Sequence, residues 1–416
     1  MQCGLLGRKL GHSYSPQIHK RLADYQYDLF EVEPEDLESF LKTAPFQGLN
    51  VTIPYKKEVM AYCAALSDTA RAIGSVNTLV RQKDGSLYGD NTDADGFAAM
   101  LSYSGIDPRG KKALVLGSGG ASLAIVYVLK QMGAKQIVVI SRSGENHYGN
   151  LHLHQDAQLI VNTTPVGMYP DTGVKPVDLR QFPSCEGVLD IIYNPAKTQL
   201  LLQAQALGLP HCDGLIMLVG QAKRAAERFT GTLLSESLIP KITGQLRFEM
   251  GNLILIGMPG CGKSTIARKL AEISGRPAVD IDQRIVERIG MPIRDFFAQQ
   301  GEARFRQIEA EILAEVTMQT GQIIATGGGI VKDWENVRRL RQSGKVYFLD
   351  RSLDQLETDP SRPLSSSREA LRQLYDQRID LYRAACDQQI ENNGSADQTA
   401  RRLWQDWLTE TTGLID

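Results

Sequence analysis

Two segments of this sequence place a glycine-rich turn between an apolar strand and a helix, and they constrain the fold more than any other feature. The first, ALVLGSGGASLAIVYVL, begins at Ala113, and the second, NLILIGMPGCGKSTIARKL, begins at Asn252. A turn of this kind presents backbone N–H groups to phosphate and typically opens a parallel α/β nucleotide-binding domain. The sequence therefore predicts two nucleotide-binding α/β domains in one chain.

Length and composition agree with several soluble domains. The 416 residues exceed what one hydrophobic core usually organises, and the 42% apolar and 23% charged residues are ordinary for globular proteins. The formal net charge of -2 argues against nucleic acid or an anionic membrane as a partner, since both favour basic surfaces. Small-molecule partners are the simpler expectation, and the sequence leaves the oligomeric state open.

The cysteines and the amino terminus predict a cytoplasmic protein. The segment MQCGLLGRKLGHS has too short an apolar stretch for a secretory signal peptide. No CxxC pair or metal-type spacing with histidine is present, so the cysteines are expected to be reduced thiols, at Cys3, Cys63, Cys185, Cys212, Cys261 and Cys386.

Helix signals and apolar runs predict parallel α/β architecture in both halves. Ser15 is predicted as a helix N-cap with Pro16 at the first helical position. Residues 232–251 are typical of a closing helix and a short junction, and Ser395 and Gln398 have capping-box spacing ahead of a final helix. The predicted domains are 1–105, 106–219 and 250–416, with helices from about 220–247 returning to the first.

The second glycine turn is the more specific motif. Gly257, Gly262, Lys263 and Ser264 complete G-x-x-x-x-G-K-S between a strand and a helix. Its backbone N–H groups can surround phosphate oxygens, the lysine can reach the β- and γ-phosphates, and the serine can ligate magnesium. The motif predicts ATP or GTP binding.

Two carboxylates follow this turn. Asp280 and Asp282 alternate in AVDID, so on an extended strand end both would point to the same side. One could serve a metal and the other an acceptor hydroxyl. The alternative, two solvated loop carboxylates, is disfavoured because further motifs follow in order downstream.

Residues 252–416 resemble shikimate kinase through GMPGCGKS, DID, GEARFRQIE, TGGGIV, SRPL and RIDLYR. The resemblance implies ATP and Mg²⁺ as cofactors, with Asp282 as or near the general base and a metal site formed by Ser264 and Asp280. The implied ATP-binding residues are Gly257, Gly260, Cys261, Gly262, Lys263, Ser264, Thr265 and Arg362, and the implied substrate-binding residues are Asp282, Arg306, Gly328, Gly329 and Arg378. Motif register selects Arg306 over Arg304, and the segment before Arg362 is more acidic than the family's lid.

The first glycine turn predicts a dinucleotide site. GSGGA alone is a weak pattern, and Ser122 stands where the general fingerprint has a third glycine or alanine. The next strand ends VVISRS, without the acidic residue that holds the ribose of NAD. Arg142 would instead favour a 2'-phosphate, so NADP is predicted, with a solvated arginine as the alternative.

The first 231 residues resemble shikimate dehydrogenase, an α/β substrate domain with a Rossmann NADP domain, through GHSYSPQIH, NVTIPYK, GSVNTL, GDNTDADGF, YNPAKT and DGLIMLVGQA. The resemblance implies Lys56 and Asp93 as the catalytic pair, with Lys57 as a rival that only the motif register excludes. The implied substrate-binding residues are Ser13, Ser15, Thr52, Asn77, Asp93, Tyr193 and Gln221. The implied NADP-binding residues are Gly117, Ser118, Gly119, Gly120, Ala121, Arg142, Thr163, Met168, Ile191 and Gly214.

Together the two resemblances imply a bifunctional enzyme of the shikimate pathway. The first site would reduce 3-dehydroshikimate to shikimate, and the second would phosphorylate shikimate at its 3-hydroxyl. One alternative keeps both folds but pairs a quinate-type dehydrogenase with another small-metabolite kinase. The other is a regulator that binds nucleotides without turnover, against which the intact Lys56, Asp93, Lys263 and Asp282 count.

Overall fold

The computed structural model describes residues 1–11, 13–357 and 367–412, with only the backbone described at 410–412. The chain forms two compact units. Unit 1 contains residues 1–166, 175–193 and 200–243, and unit 2 contains residues 167–174, 194–199 and 244–416. The three predicted domain ranges stay a prediction, because the contacts within the chain divide it into two compact units and not three.

Unit 1 begins with a mixed six-stranded sheet in the order β2-β1-β3-β5-β6-β4. Its strands are β1 (Gln2–Gly7), β2 (Gln26–Glu31), β3 (Gly48–Val51), β4 (Ala65–Leu66), β5 (Thr78–Arg81) and β6 (Leu87–Asp90). The predicted parallel architecture holds only in part here, because β5 pairs antiparallel with both β3 and β6. A short connection can join only antiparallel neighbours, and β5 and β6 form such a hairpin.

Four helices accompany this sheet: α1 (Ser15–Leu22), α2 (Leu37–Thr43), α3 (Asp68–Ile73) and α4 (Asp93–Ser104). The prediction that Ser15 caps α1 is wrong by one position. Tyr14 is the N-cap and its side chain makes no capping hydrogen bond, while Pro16 lies in the first turn as expected. The hydroxyl of Ser15 therefore belongs to the first helical residue and does not close the helix end.

The second sheet of unit 1 is fully parallel, in the order β11-β10-β9-β7-β8. Its elements are β7 (Lys112–Leu116), α5 (Gly120–Gln131), β8 (Gln136–Ile140), β9 (Leu159–Asn162), β10 (Gly187–Asp190), α6 (Gln199–Ala206), β11 (His211–Cys212) and α7 (Leu215–Thr230). A 3₁₀ segment, Tyr148–His154, replaces a full helix between β8 and β9. The strand order reverses at β7, and ligands of such sheets bind at that point.

Helix α7 packs closely against α4 through glycine. A Cβ at Gly96 would lie 2.4 Å from the carbonyl oxygen of Met217 and 3.0 Å from the Cβ of Gln221. No larger residue fits such a helix contact without displacing one helix. Since Gly96 is one turn from Asp93, this packing brings Gln221 to the amino-terminal end of α4.

The main sheet of unit 2 is parallel, in the order β13-β14-β12-β15-β16. The strands are β12 (Asn252–Ile256), β13 (Ala278–Asp280), β14 (Ile323–Ala325), β15 (Gly344–Asp350) and β16 (Gln388–Glu391). The helices from the junction onward are α8 (Leu238–Met250), α9 (Lys263–Ser274), α10 (Ile281–Ile289), α11 (Ile293–Thr317), α12 (Trp334–Ser343), α13 (Arg368–Ala385) and α14 (Ala396–Thr412). The carboxyl ends of β12, β13 and β14 meet at one edge, where the second glycine turn lies.

The predicted closing helix and short junction are confirmed, because only Gly251 separates α8 from β12. The boundary between the units falls inside α8, after Thr243. The last turns of α8 are fastened to unit 2 by Arg276, which donates hydrogen bonds to the carbonyls of Gly251 and Phe248. Its guanidinium lies over three aromatic rings, at 5.0 Å from the centroid of Phe248, 5.9 Å from Trp404 and 5.2 Å from Trp407.

The final helix has the predicted capping box. The backbone N–H of Gln398 donates to the hydroxyl of Ser395, and the backbone N–H of Ser395 donates to the side chain of Gln398. All six cysteines are free thiols in the structure. Among the described residues, no helix combines the length and apolarity needed to cross a bilayer.

Candidate active sites

The first candidate site is centred on an ion pair. Lys56, just after β3, places its Nζ 2.5 Å from Oδ2 of Asp93, the first residue of α4. Their side chains are 19% and 11% exposed, so both are largely buried but still reach solvent. The helix dipole favours the negative charge at the start of α4. Lys57, the rival in the same dipeptide, is exposed.

Asn77 holds the carboxylate of Asp93 from the opposite side. Its Nδ2 donates to Oδ1 of Asp93 at 2.9 Å, while its Oδ1 accepts from the backbone N–H of Thr92 at 2.7 Å. The hydroxyl of Thr78 also donates to that Oδ1, at 3.0 Å. Both oxygens of Asp93 are therefore occupied by fixed donors, and the carboxylate can hold Lys56 in one orientation.

The remaining substrate-binding candidates lie on neighbouring elements of unit 1. Ser13 accepts a hydrogen bond from the backbone N–H of Ser15 at 3.2 Å, and Thr52 follows β3. The ring of Tyr193 meets that of Tyr14 edge-on at 6.0 Å, and burial raises the pKa of Tyr193 above its ordinary value. Gln221 joins them through the packing of α7 on α4.

The glycine turn after β7 lies beside the lysine of this ion pair. A Cβ at Gly120 would meet only the Cδ of Lys56, at 3.9 Å, and one at Gly119 would meet no atom within 4 Å. Gly117 adopts φ +105°, and a Cβ there would lie 2.7 Å from the hydroxyl oxygen of Thr163. The turn thus has an open surface suited to a dinucleotide pyrophosphate, next to Lys56.

The other predicted NADP residues lie on several elements. Ser122 turns inward, where its hydroxyl donates to the carbonyl of Gly119 at 2.9 Å. Arg142 is exposed, two residues after β8, and no acidic side chain stands at that strand end. A Cβ at Gly214 would collide with the carbonyl of Ile191 at 1.9 Å. Met168 is 44% exposed, and the turn itself contributes Ser118 and Ala121.

The second candidate site is built on the turn after β12. Three glycines take left-handed or extended positive φ angles, 151° at Gly257, 76° at Gly260 and 94° at Gly262. Lys263 is buried and its Nζ donates to the carbonyls of Gly257 at 2.8 Å and Met258 at 3.0 Å. The ammonium is held inside the loop, so the cradle matches the phosphate chain of ATP.

Ser264 and Asp280, the two predicted magnesium ligands, are in contact. The hydroxyl of Ser264 donates to Oδ2 of Asp280. The other oxygen, Oδ1, caps α10 by accepting from the backbone N–H of Gln283 at 3.2 Å. The expectation that Asp280 and Asp282 alternate on one strand is wrong, because α10 begins at Ile281. Asp282 reaches the site from the first turn of that helix, where a negative charge is favoured.

Arg306 and a buried glutamate form the floor of this site. Nη1 of Arg306 donates to Oε2 of Glu309 at 2.7 Å, and its Nη2 to Glu302 at 3.2 Å. A Cβ at Gly329 would lie 2.3 Å from the same guanidinium. Arg304, its neighbour in the motif, is exposed.

Glu309 also faces the predicted general base. A Cβ at Gly327 would lie 2.7 Å from Oδ1 of Asp282 and 2.8 Å from Oε1 of Glu309. Burial raises the pKa of Glu309, and the charge of Asp282 adds to this effect against the opposing effect of Arg306. Two carboxylates therefore face Gly327, and the Arg306 guanidinium faces Gly329, two residues further along.

Arg378 closes the site from α13. Its Nη1 donates to the carbonyl of Gly328 at 2.9 Å, and the hydroxyl of Tyr382 donates to the same oxygen. Cys261 is buried in the loop and Thr265 is exposed at the start of α9. Arg362, the predicted lid residue, lies outside the described residues.

Sequence reasoning missed several groups that the structure places in these sites. Glu309 follows Arg306 by three positions, a helical spacing that already predicts contact between the two side chains. Tyr382 lies one helical turn after Arg378, so the same rule could have indicated it. Thr92 had no such signal, because it meets Asn77 only through the entry into α4. Thr78 is next to Asn77 in the sequence, but no motif indicated the hydrogen bond between their side chains.

The amino-terminal part of the chain is similar to known proteins. Residues 5–79 match the family model for the shikimate dehydrogenase substrate binding domain. The shikimate dehydrogenase (NADP(+)) of Clostridium perfringens (strain SM101 / Type A) is 39% identical over 265 residues, covering 59% of this chain and 97% of that protein. The chain belongs to the shikimate dehydrogenase family.

Solved structures of this dehydrogenase family agree. A chorismate mutase/shikimate 5-dehydrogenase fusion protein from Clostridium acetobutylicum has a TM-score of 0.56 at 38% identity, covering 59% of this chain and 97% of that chain. A shikimate 5-dehydrogenase from Thermus thermophilus, in complex with NADP(H) and shikimate, has a TM-score of 0.54 at 32% identity, covering 59% and 99%.

The carboxy-terminal part of the chain matches a second family. Residues 259–407 match the family model for shikimate kinase. The chain is therefore a shikimate dehydrogenase joined to a shikimate kinase domain, a bifunctional enzyme of the shikimate pathway, which confirms the predicted family, fold class and pair of activities. NADP, ATP and magnesium, the predicted cofactors, are those of the two families.

Proposed function

We propose that the first site reduces 3-dehydroshikimate to shikimate with NADPH, and that the second transfers the γ-phosphoryl group of ATP to the 3-hydroxyl of shikimate. One observation supports the first reaction above all others. The Lys56–Asp93 pair, at 2.5 Å, lies beside the open glycine turn that suits the dinucleotide. This arrangement would bring the proton donor close to the hydride of the bound cofactor.

In the reduction, the side chains supply a proton and fix the substrate. NADPH, when bound, would supply the hydride to the ring ketone. Lys56 would donate a proton to the ketone oxygen as negative charge develops there, and Asp93 would keep the ammonium aimed at that oxygen. Ser13, Ser15 and Thr52 would bind the carboxylate and hydroxyls of the ring.

In the phosphorylation, the side chains position charge around the acceptor. ATP with Mg²⁺, when bound, would supply the phosphoryl group. Asp282 would accept the proton of the substrate 3-hydroxyl, while Arg306 and Arg378 would hold the substrate carboxylate. Lys263 would exchange its carbonyl partners for phosphate oxygens, and Ser264 with Asp280 would hold the ion.

The two proposed reactions are consecutive, since the product of the first is the substrate of the second. Preference for NADP would come from Arg142, whose position after β8 suits the 2'-phosphate. We place the enzyme in the cytoplasm, with small molecules rather than nucleic acid or membranes as partners. The net charge of -2 supports this proposal.

The test uses the purified full chain with 3-dehydroshikimate, NADPH, ATP and Mg²⁺, following NADPH absorbance and ADP release. Lys56→Ala should lower the rate of reduction by about 10²–10⁴-fold, the usual contribution of a general acid. Phosphorylation of added shikimate should be unchanged. Lys57→Ala, at the exposed neighbouring position, is the matched control and should retain both rates. Reduction at the normal rate by Lys56→Ala would refute the assignment.

Substrate comparison separates the alternatives. A quinate-type dehydrogenase would reduce 3-dehydroquinate with higher kcat/KM than 3-dehydroshikimate, and its partner kinase would ignore shikimate. A nucleotide-binding regulator would consume neither NADPH nor ATP. We expect turnover of 3-dehydroshikimate by the first site and of shikimate by the second.

A further inference from the structure

A second cation lies beside the glycine turn of the kinase half. Arg351 is the first residue after β15, and a Cβ at Gly262 would lie 3.8 Å from Nη1 of its guanidinium. Gly262 is the last glycine of the turn and the N-cap of α9. The backbone N–H groups at such a helix start point at phosphate, so the guanidinium lies at the part of the turn where a phosphate group would bind.

The guanidinium of Arg351 lacks a partner within the chain. Its Nε is shielded from solvent, and among the described residues the side chain forms no hydrogen bond or ion pair. Arg306 and Arg378 of the same half, by contrast, donate to Glu309 and to the carbonyl of Gly328. A partly buried cation without acceptors is unfavourable. An anionic ligand would supply those acceptors.

The buried side chain of Asn392, just after β16, fastens the end of β15 to the glycine turn. Its Nδ2 donates to the carbonyl of Cys261 in the turn at 2.5 Å, and its Oδ1 accepts from the hydroxyl of Thr399 at 2.8 Å. Its backbone N–H donates at 2.7 Å to the carbonyl of Asp350, the residue before Arg351. The backbone of Arg351 therefore keeps a fixed position relative to the turn, which lowers the entropy that binding costs.

Arg351 lies on the side of the turn away from the proposed acceptor. The strand order places β13 and β14, with Asp280 and Gly328 at their ends, on one side of β12, and β15 on the other. We propose that Arg351 binds the α- and β-phosphates of ATP, which remain in ADP after transfer, whereas Lys263 acts on the transferred group. A planar guanidinium suits two neighbouring phosphate oxygens. This inference rests on the proposed binding of ATP at this turn.

Arg351→Ala in the full chain tests the proposal, with ADP binding measured by isothermal titration so that no turnover is needed. We expect Kd for ADP to rise about ten- to thirtyfold, the effect of one lost charge-assisted hydrogen bond. KM for ATP should rise by a similar factor with kcat changed less than twofold, because the contact is the same before and after transfer. Equal Kd values for ADP in the variant and the wild type would overturn the proposal.

Arg288→Ala is the matched control. It removes the same charge from the kinase half, but Arg288 lies in the last turn of α10 and pairs at the surface with Glu315, at 2.7 Å. A similar rise in Kd for both variants would mean that only the overall charge matters, and would contradict the proposal. Arg351→Lys keeps the charge without the planar fork, so its Kd for ADP should rise only about threefold. No recovery relative to Arg351→Ala would count against a contact with phosphate.

Inorganic pyrophosphate separates a contact with phosphate from stacking on the base. It offers two linked phosphates without adenine, so Arg351→Ala should raise its Kd by the same factor as that of ADP. Weaker binding of ADP with unchanged binding of pyrophosphate would assign the guanidinium to the adenine ring and overturn the proposal. Failure of the wild-type chain to bind ADP would instead refute the proposed kinase site, so the two failures are distinguishable.

Discussion

The two glycine turns of this chain are both suited to the phosphates of a nucleotide, but their cations come from different places in the chain. The turn after β12 contains its own cation, since Lys263 folds back onto the carbonyls of Gly257 and Met258. The turn after β7 contains no charged residue, and the cation beside it, Lys56, comes from another element, as would Arg142, the residue that we propose for the 2'-phosphate. A self-contained site depends on one local segment, whereas the dehydrogenase site depends on the packing of several.

Lys263→Ala should have the largest effect among the variants that test this difference between the two turns. Removing the cation of the self-contained turn should lower kinase kcat/KM by about 10²–10³-fold, as expected for loss of a preorganised charge at the transferred group. Reduction of 3-dehydroshikimate should be unaffected. Lys269→Ala on the same helix is the control, because that lysine only pairs with Glu272 and Asp397 at the surface. Unchanged kinase kcat/KM in the Lys263→Ala variant would contradict this difference between the two turns.

Gly117→Ala should destabilise the dehydrogenase half by about 2–4 kcal/mol, from a left-handed φ and a Cβ pressed against Thr163. Gly119→Ala, at φ -77° with open space above it, should cost less than about 1 kcal/mol while weakening NADPH binding. Urea unfolding by circular dichroism measures both. The tryptophans, Trp334, Trp404 and Trp407, all lie in the kinase half, so their fluorescence should not shift.

Arg142→Ala sharpens the comparison at the second cation that we propose for the first site. We expect KM for NADPH to rise about ten- to thirtyfold, equivalent to loss of a charged hydrogen bond of about 1.5–2 kcal/mol. KM for NADH should stay the same, since NADH lacks the 2'-phosphate. Parallel rises for both cofactors would mean that Arg142 acts on the fold rather than on that phosphate.

The pH dependence of stability should also separate the halves, because all six histidines precede residue 212. Burial lowers the pKa of His19 to about 3 in the folded state, from 6.5. Below pH 6.5 the unfolded chain binds a proton that the folded chain does not, so stability is lost as pH falls. Between pH 7.5 and pH 5 we expect a loss of about 1–2 kcal/mol in the dehydrogenase half.

His19→Phe should flatten this dependence while keeping the stacking on Tyr27. The measurement is urea unfolding at both pH values, with circular dichroism for the whole chain and tryptophan fluorescence for the kinase half. An unchanged pH slope in His19→Phe would show that other groups cause it.

Local motifs made most of the architecture predictable from sequence. Both glycine turns, the strands beside them and the capping box at Ser395 depend on neighbouring residues, which the sequence displays directly. The mixed first sheet was not predicted, because strand direction depends on which distant strands pair. The helical position of Asp282 was missed because AVDID fits a strand as well as a strand followed by a helix N-terminus.

Which side chains meet in a site was predicted only where both belong to family motifs. Lys56 and Asp93 were named together from motifs 37 positions apart, and the structure joins them in one ion pair. The contacts of Asn50 with Thr78 and of Tyr27 with Asn50 had no such guide, because each is made across strands. The floor formed by Glu309 could have been inferred from its spacing to Arg306, whereas its approach to Asp282 required the three-dimensional arrangement.

The aromatic anchorage of α8 sets where this polypeptide can be dissected. A kinase released at Asn252, where its first strand begins, would lose Phe248 and both carbonyls that Arg276 holds, and would leave the rings of Trp404 and Trp407 open to water. Burial lowers the pKa of Arg276 to about 10, so that guanidinium is already poorly hydrated. A kinase domain produced alone should therefore begin at Gly244, inside α8, although its catalytic motifs begin only after β12.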